Sequence, residues 1–167
     1  MMTKLLHLLR DERGASIIEL ALVAPFLATL TIGVIDLSGA YSAKLQLEQA
    51  AQRTIEKAMQ APKSEINGLN VTYLATLKAE AAEAADVDPS AVTIRYWLEC
   101  NGVSQNTSPS TMDTDYDKVC GTGVAYARYI SVSITKNYTP MFDVDWLSGR
   151  NPDGSYTLIG ATSMRVQ

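Results

Sequence analysis

At 167 residues, with 47% hydrophobic and 19% charged side chains, the chain has room for one modest domain beside a membrane segment. Its composition indicates neither wholesale disorder nor a multi-span protein, and a formal charge of -4 argues against a nucleic-acid binder, which would carry a basic face. The one histidine, His7, lies near the N-terminus, so the chain beyond Gly14 has none for a Ser-His-Asp or Cys-His constellation, and with two cysteines a zinc site is not expected.

Residues 1–14 form a short charged leader, with Lys4, Arg10 and Arg13 against Asp11 and Glu12. That positive excess, next to an apolar run, predicts a cytoplasmic N-terminus. The run from Ala15 to about Ala40 makes about 39 Å of helix, enough to cross a bilayer with some tilt. No charge occurs between Leu20 and Ile35. Just before that stretch stands one acid, Glu19, fifth from Gly14; an acid among residues fit for lipid is expensive and marks a function by default. Pro25 removes a backbone hydrogen bond and predicts a kink near Ala21–Pro25. Gly33 and Gly39 offer small surfaces for another helix, and Asp36, near the outer interface, reads as a solvated boundary residue.

The stretch Arg13-Gly-Ala-Ser-Ile-Ile-Glu resembles the processing site of type IV prepilins, where a membrane peptidase cuts after the glycine. The run Ala21-Leu-Val-Ala-Pro25 narrows the resemblance to the TadE-like minor pseudopilins of the Flp/Tad pilus system. The resemblance implies cleavage between Gly14 and Ala15 by a prepilin peptidase, which leaves the anchor on the mature chain. It also implies that Glu19 pairs with the new Ala15 amine, on its own chain or a neighbour, during subunit docking. Snorkelling of Glu19 to the headgroups is the alternative. The implied partners are the peptidase, other Tad pilus subunits and the inner-membrane assembly platform, with no cofactor. Two other readings share the same N-terminus: an uncleaved anchor carrying an extracytoplasmic binding or sensor module, and a type II secretion pseudopilin.

Beyond the span the helical pattern continues through Tyr41–Met59, with Leu47, Ala51, Ile55 and Ala58 as an apolar stripe and Lys44 and Glu48 placed to pair on the wet face. Pro62, Asn67 and Gly68 end it. A second amphipathic helix is predicted over Val71–Ala85, with Leu74, Leu77, Ala81 and Ala85 inward and Thr76, Glu80 and Glu83 outward, closed by Asp88-Pro89. The period then changes to two. Val92, Ile94, Tyr96 and Leu98 alternate within Ala91–Glu99; Ile130, Val132 and Ile134 alternate within Arg128–Lys136; Tyr156, Leu158, Met164 and Val166 share a face across a flatter Gly160–Ala161. Asn151-Pro152-Asp153-Gly154 predicts a turn before the third strand.

The expected fold is therefore α+β. A long N-terminal transmembrane helix extends into an amphipathic helix packed on a small three-stranded antiparallel sheet, the plan of pilin-like proteins. The expected organisation is a leader over 1–14, a transmembrane helix over 15–40 and a periplasmic domain over 41–167, anchored in the inner membrane by one pass. Cys100 and Cys120 flank the polar loop Asn101–Asp117 in the exported part, and read as a disulfide, the alternative being two unrelated thiols. Asp113, Asp115 and Asp117 in that loop are weak calcium candidates. An EF-hand is excluded, because Lys118 and Val124 stand where its glycine and bidentate glutamate belong, and a solvated acidic loop is the plainer reading. The expected function is non-enzymatic: a minor pilin contributing to pilus assembly and so to surface adhesion.

Overall fold

The computed structural model describes residues 12–60, 71–105, 119–142 and 149–166. The first element, α1, is one continuous helix over Glu12–Gln60. Its lower part is rich in β-branched residues and contains Pro25 and glycines, a weak helix former in water. In hydrocarbon the same stretch has little choice, because only the helix satisfies every backbone group internally. The hydroxyls within it are satisfied the same way: Thr29 Oγ1 donates to the Pro25 carbonyl (2.9 Å) and Thr31 Oγ1 to the Leu27 carbonyl (2.7 Å).

Further along, α1 becomes one-sided. Leu47, Ala50, Ala51, Ile55 and Ala58 are buried, while Gln52, Arg53, Glu56 and Lys57 remain exposed. The expected stripe is present, with Ala50 and a buried Thr54 added to it; Thr54 Oγ1 donates to the Ala50 carbonyl (2.7 Å), which removes the cost of its burial. Lys44 and Glu48 lie 3.9 Å apart on the wet face, as expected.

A second helix, α2, covers Val71–Ala85 and buries Leu77, Ala81, Ala82 and Ala85 against the stripe. It ends before Asp88-Pro89, at a left-handed cap. Asp86 adopts a left-handed backbone (φ 53°), the Val87 amide donates to the Ala82 carbonyl (3.0 Å) and the Asp86 amide to the Glu83 carbonyl (3.2 Å). Lys136, reaching from the sheet, donates to the last helical carbonyl, Ala85 (3.2 Å), and to Asp86 Oδ2 (3.1 Å). A cation at a helix C-terminus also meets the negative end of the dipole. Asp88 instead caps the next element, a 3-10 turn over Pro89–Ala91, by accepting from the Ser90 amide (2.8 Å). The Ser90 hydroxyl first, and that amide bond second, hold the Asp88 carboxyl below its ordinary pKa.

The sheet has four strands: β1 (Val92–Cys100), β2 (Val103–Ser104), β3 (Tyr126–Tyr138) and β4 (Tyr156–Arg165). They are antiparallel throughout, in the order β2-β1-β3-β4, and the sheet is curled. The expected count of three is corrected by β2, a two-residue strand that folds back on β1 through Asn101 and Gly102, both at positive φ. It occupies the start of the segment expected to be loop. The α+β plan otherwise stands: Val92, Ile94 and Tyr96 of β1 and Ile130, Val132 and Ile134 of β3 are buried under α1 and α2, and Leu98 of β1 is buried as well. The predicted turn before β4 is also present; the Asp153 carboxylate accepts from the hydroxyl (2.7 Å) and then the amide (3.0 Å) of the buried Ser155, bonds that in that order hold its pKa below the ordinary value.

Gly160 explains the flat middle of β4. A Cβ placed on it would lie 2.5 Å from the Leu47 carbonyl carbon and 2.6 Å from the Glu48 nitrogen. Here the backbone of α1 rests directly on the backbone of β4, and any side chain would push helix and sheet apart.

Candidate functional site

The motif residues lie at the start of α1. Gly14 and Ala15 are within the helix as it begins at Glu12, so the bond expected to be cut lies in its first turn. Glu19 is exposed, one helical turn beyond Ala15. Its apolar neighbours are exposed as well: Ile17, Ile18, Leu20, Leu22 and Phe26 are each at least 65% accessible. Exposure on every side, rather than along one stripe, is what a helix dressed for lipid or for other helices shows. Among the described residues this is the helix long and apolar enough to cross a membrane, and none of its most apolar window is buried. Pro25 lies inside this stretch, and the helix continues through it.

Asp36 corrects the expectation of a merely solvated boundary residue. Its carboxylate accepts two backbone hydrogen bonds, from the Met141 amide to Oδ1 (2.9 Å) and from the Phe142 amide to Oδ2 (3.2 Å). Its carbonyl accepts a third from the Tyr138 hydroxyl (3.3 Å). Gly39 makes room for that tyrosine, since a Cβ there would meet the phenol oxygen at 2.5 Å. Gly39 therefore admits a residue of the sheet. The Tyr138 phenol is pushed above its ordinary pKa, by burial first and by the Asp36 charge second, so it stays a donor. Together these contacts tie the end of β3, and the segment that follows it, to the last turns of the apolar helix.

Cys100 and Cys120 are joined in a disulfide, with Cα atoms 5.8 Å apart. The bridge lies at the end of the sheet away from Asp36, because Cys100 pairs with Tyr126 at the start of β3 and Asp36 meets residues past its end. Enclosing about 20 residues, such a bridge contributes about 3 kcal/mol in the chain-entropy account. Asp113, Asp115 and Asp117 lie outside the described residues. Among the described residues no cluster of metal-binding side chains occurs.

The outer face of the sheet carries an open groove lined by Thr93, Arg95, Trp97, Ser131, Ser133 and Ser163. Beside it Trp97 and Tyr129, opposed across β1 and β3, stack with ring centroids 5.2 Å apart and planes 11° from parallel. The indole N–H donates to Glu99 Oε1 (3.1 Å). The alternation placed these aromatics on the outer face, but their pairing depends on the register between two strands.

The described site residues thus fall into three separate places: the exposed start of α1, the Asp36 junction and the distal disulfide. No curated protein and no solved structure matches the chain. Residues 14–55, from the motif glycine to the buried stripe of α1, match the family model described as TadE-like protein, a family associated with Tad pili.

Proposed function

We propose that this chain is a minor pilin of a Flp/Tad-type pilus. A prepilin peptidase removes residues 1–14, residues 15–40 hold the product in the inner membrane with its N-terminus cytoplasmic, and residues 41–167 form the periplasmic domain. The mature chain then joins, primes or tips the filament through other Tad subunits and the inner-membrane assembly platform, and so bears on adhesion.

The observation that carries this reading is Glu19. It is the lone acid of a helical stretch exposed on all sides, and it follows Gly14 at the spacing of a prepilin motif. Cleavage at Gly14 creates an ammonium at Ala15, one turn below the carboxylate. An ammonium within reach offsets part of the cost of placing that carboxylate in a low dielectric. When the ammonium belongs to a neighbouring subunit, the same pairing sets the axial register between two helices. Pro25, by freeing the Ala21 carbonyl just beyond Glu19, gives the helix a place to bend as it leaves the bilayer for a bundle.

Mass spectrometry of protein extracted from cells with the matching peptidase tests the first step, and should find Ala15 at the N-terminus. Glu19→Gln tests the second, because it keeps size and polarity but removes the charge. Membrane insertion and cleavage should persist while co-purification with other pilus subunits and piliation fall. An intact leader in piliated cells, or normal assembly of the Gln variant, would overturn the proposal.

A further inference from the structure

We propose that the segment after β3, held to α1 by Asp36, is a second membrane contact: Met141 and Phe142 enter the lipid interface on the outer side of the bilayer, beside the span. This rests on reading α1 as a membrane span, and does not depend on cleavage or pilus assembly.

Height along the helix is the first argument. From Ser16 to Asp36 the helix rises about 30 Å, which is about the thickness of the hydrocarbon core. With Ser16 at the inner edge of the core, Asp36 lies at the outer edge, and the Met141 and Phe142 amides bonded to it lie at the same level. Chemistry is the second. Met141 is 77% exposed and Phe142 38%, two large apolar side chains presented where the exposed apolar surface of the helix runs out. Tyr138 and the 63% exposed Tyr41 add amphipathic rings near that boundary, where such side chains concentrate. Satisfied polar groups are the third. A bare carboxylate and two bare amides would resist leaving water, but here they satisfy one another, so the junction can sit where water is sparse. The occupant that fits is lipid, because this apolar surface continues the surface of the span.

The test uses the full chain in lipid nanodiscs, with native cysteines bonded to each other and a single cysteine introduced for an environment-sensitive fluorophore. Probes go at Met141→Cys, at Val103→Cys in the exposed β2 strand, and at Leu30→Cys within the span. Lipids carrying a nitroxide near the headgroup should quench the Met141 probe about twofold more than the Val103 probe, as expected for insertion 5–10 Å deep. Asp36→Ala should bring the Met141 probe down to the Val103 level while the Leu30 probe stays quenched by deep nitroxides. A quenched Leu30 probe with an unquenched Met141 probe would overturn the second contact alone. An unquenched Leu30 probe would overturn the span and the contact with it. A Met141 probe shielded from both nitroxide lipids and aqueous iodide would mean that protein covers the segment, which also overturns the proposal.

Discussion

The two halves of α1 differ in how they place their apolar residues. Between Ile17 and Leu37, large apolar side chains are exposed around the helix. Between Leu47 and Ala58 they are sorted, with Leu47, Ala51, Ile55 and Ala58 buried against the sheet and charged residues on the other side. One continuous helix therefore carries two surface designs. A uniformly apolar surface has no preferred face and can be met by lipid or by helices from several directions. A stripe has one face and commits the helix to one partner, here its own domain. The Asp36 junction and Gly39 lie where the first design gives way to the second.

Gly160→Ala should break the comparison most severely, because it strikes the committed half at its closest contact. The added methyl would overlap the backbone of Leu47 and Glu48, and neither can turn aside as a side chain end could. Overpacking of this kind costs about 3 kcal/mol or more when backbone must move. Urea unfolding of detergent-solubilised protein, followed by fluorescence of the tryptophans, should show a much lower midpoint or no cooperative transition. Wild-type stability would mean that helix and sheet are not in contact there.

Leu47→Ala and Leu30→Ala sharpen the contrast with one chemical change in both halves. Leu47 is fully buried, so its truncation should cost about 2–5 kcal/mol of domain stability. Leu30 is 66% exposed in the apolar half, and its truncation should leave domain unfolding within about 0.5 kcal/mol of the parent. Equal effects in the same urea experiment would show that the two halves are not separate environments.

Much of this division is legible in the residues themselves. The stripe of α1, the bounds of α2 and the alternation of β1 and β3 follow from repeated apolar spacing, which is a local signal. What escapes is non-local. Asp36 reads as solvated because its partners are backbone amides more than a hundred positions away, and an amide has no side chain to announce it. The need for glycine at 160 depends on a helix backbone brought to it by the fold, so the sequence displays only a gap in an apolar face. The strand β2 is too short to show a period, and the helix cap at Asp86 depends on Lys136 arriving from β3. The exposure of Glu19 could be expected from its surroundings, but the identity of what covers it lies in other molecules.

The smallest expected effect comes from Lys44 and Glu48, which should report where on α1 water begins. The pair is separated by 3.9 Å, with about half of the lysine and 41% of the glutamate side chain accessible. An exposed i,i+4 pair contributes about 0.3–0.5 kcal/mol, and salt screens it. Glu48→Gln should therefore lower domain stability by no more than about 0.5 kcal/mol at low salt, and the difference from the parent should vanish at about 1 M salt, where the screening length is near 3 Å. The ordering along the helix makes the result informative. Asp36 and Lys44 are little more than two turns apart, and the junction of the two surface designs falls between them. A loss of several kcal/mol that salt cannot reduce would mean that Glu48 sits in a low dielectric, and the boundary between the two surface designs would move outward past it.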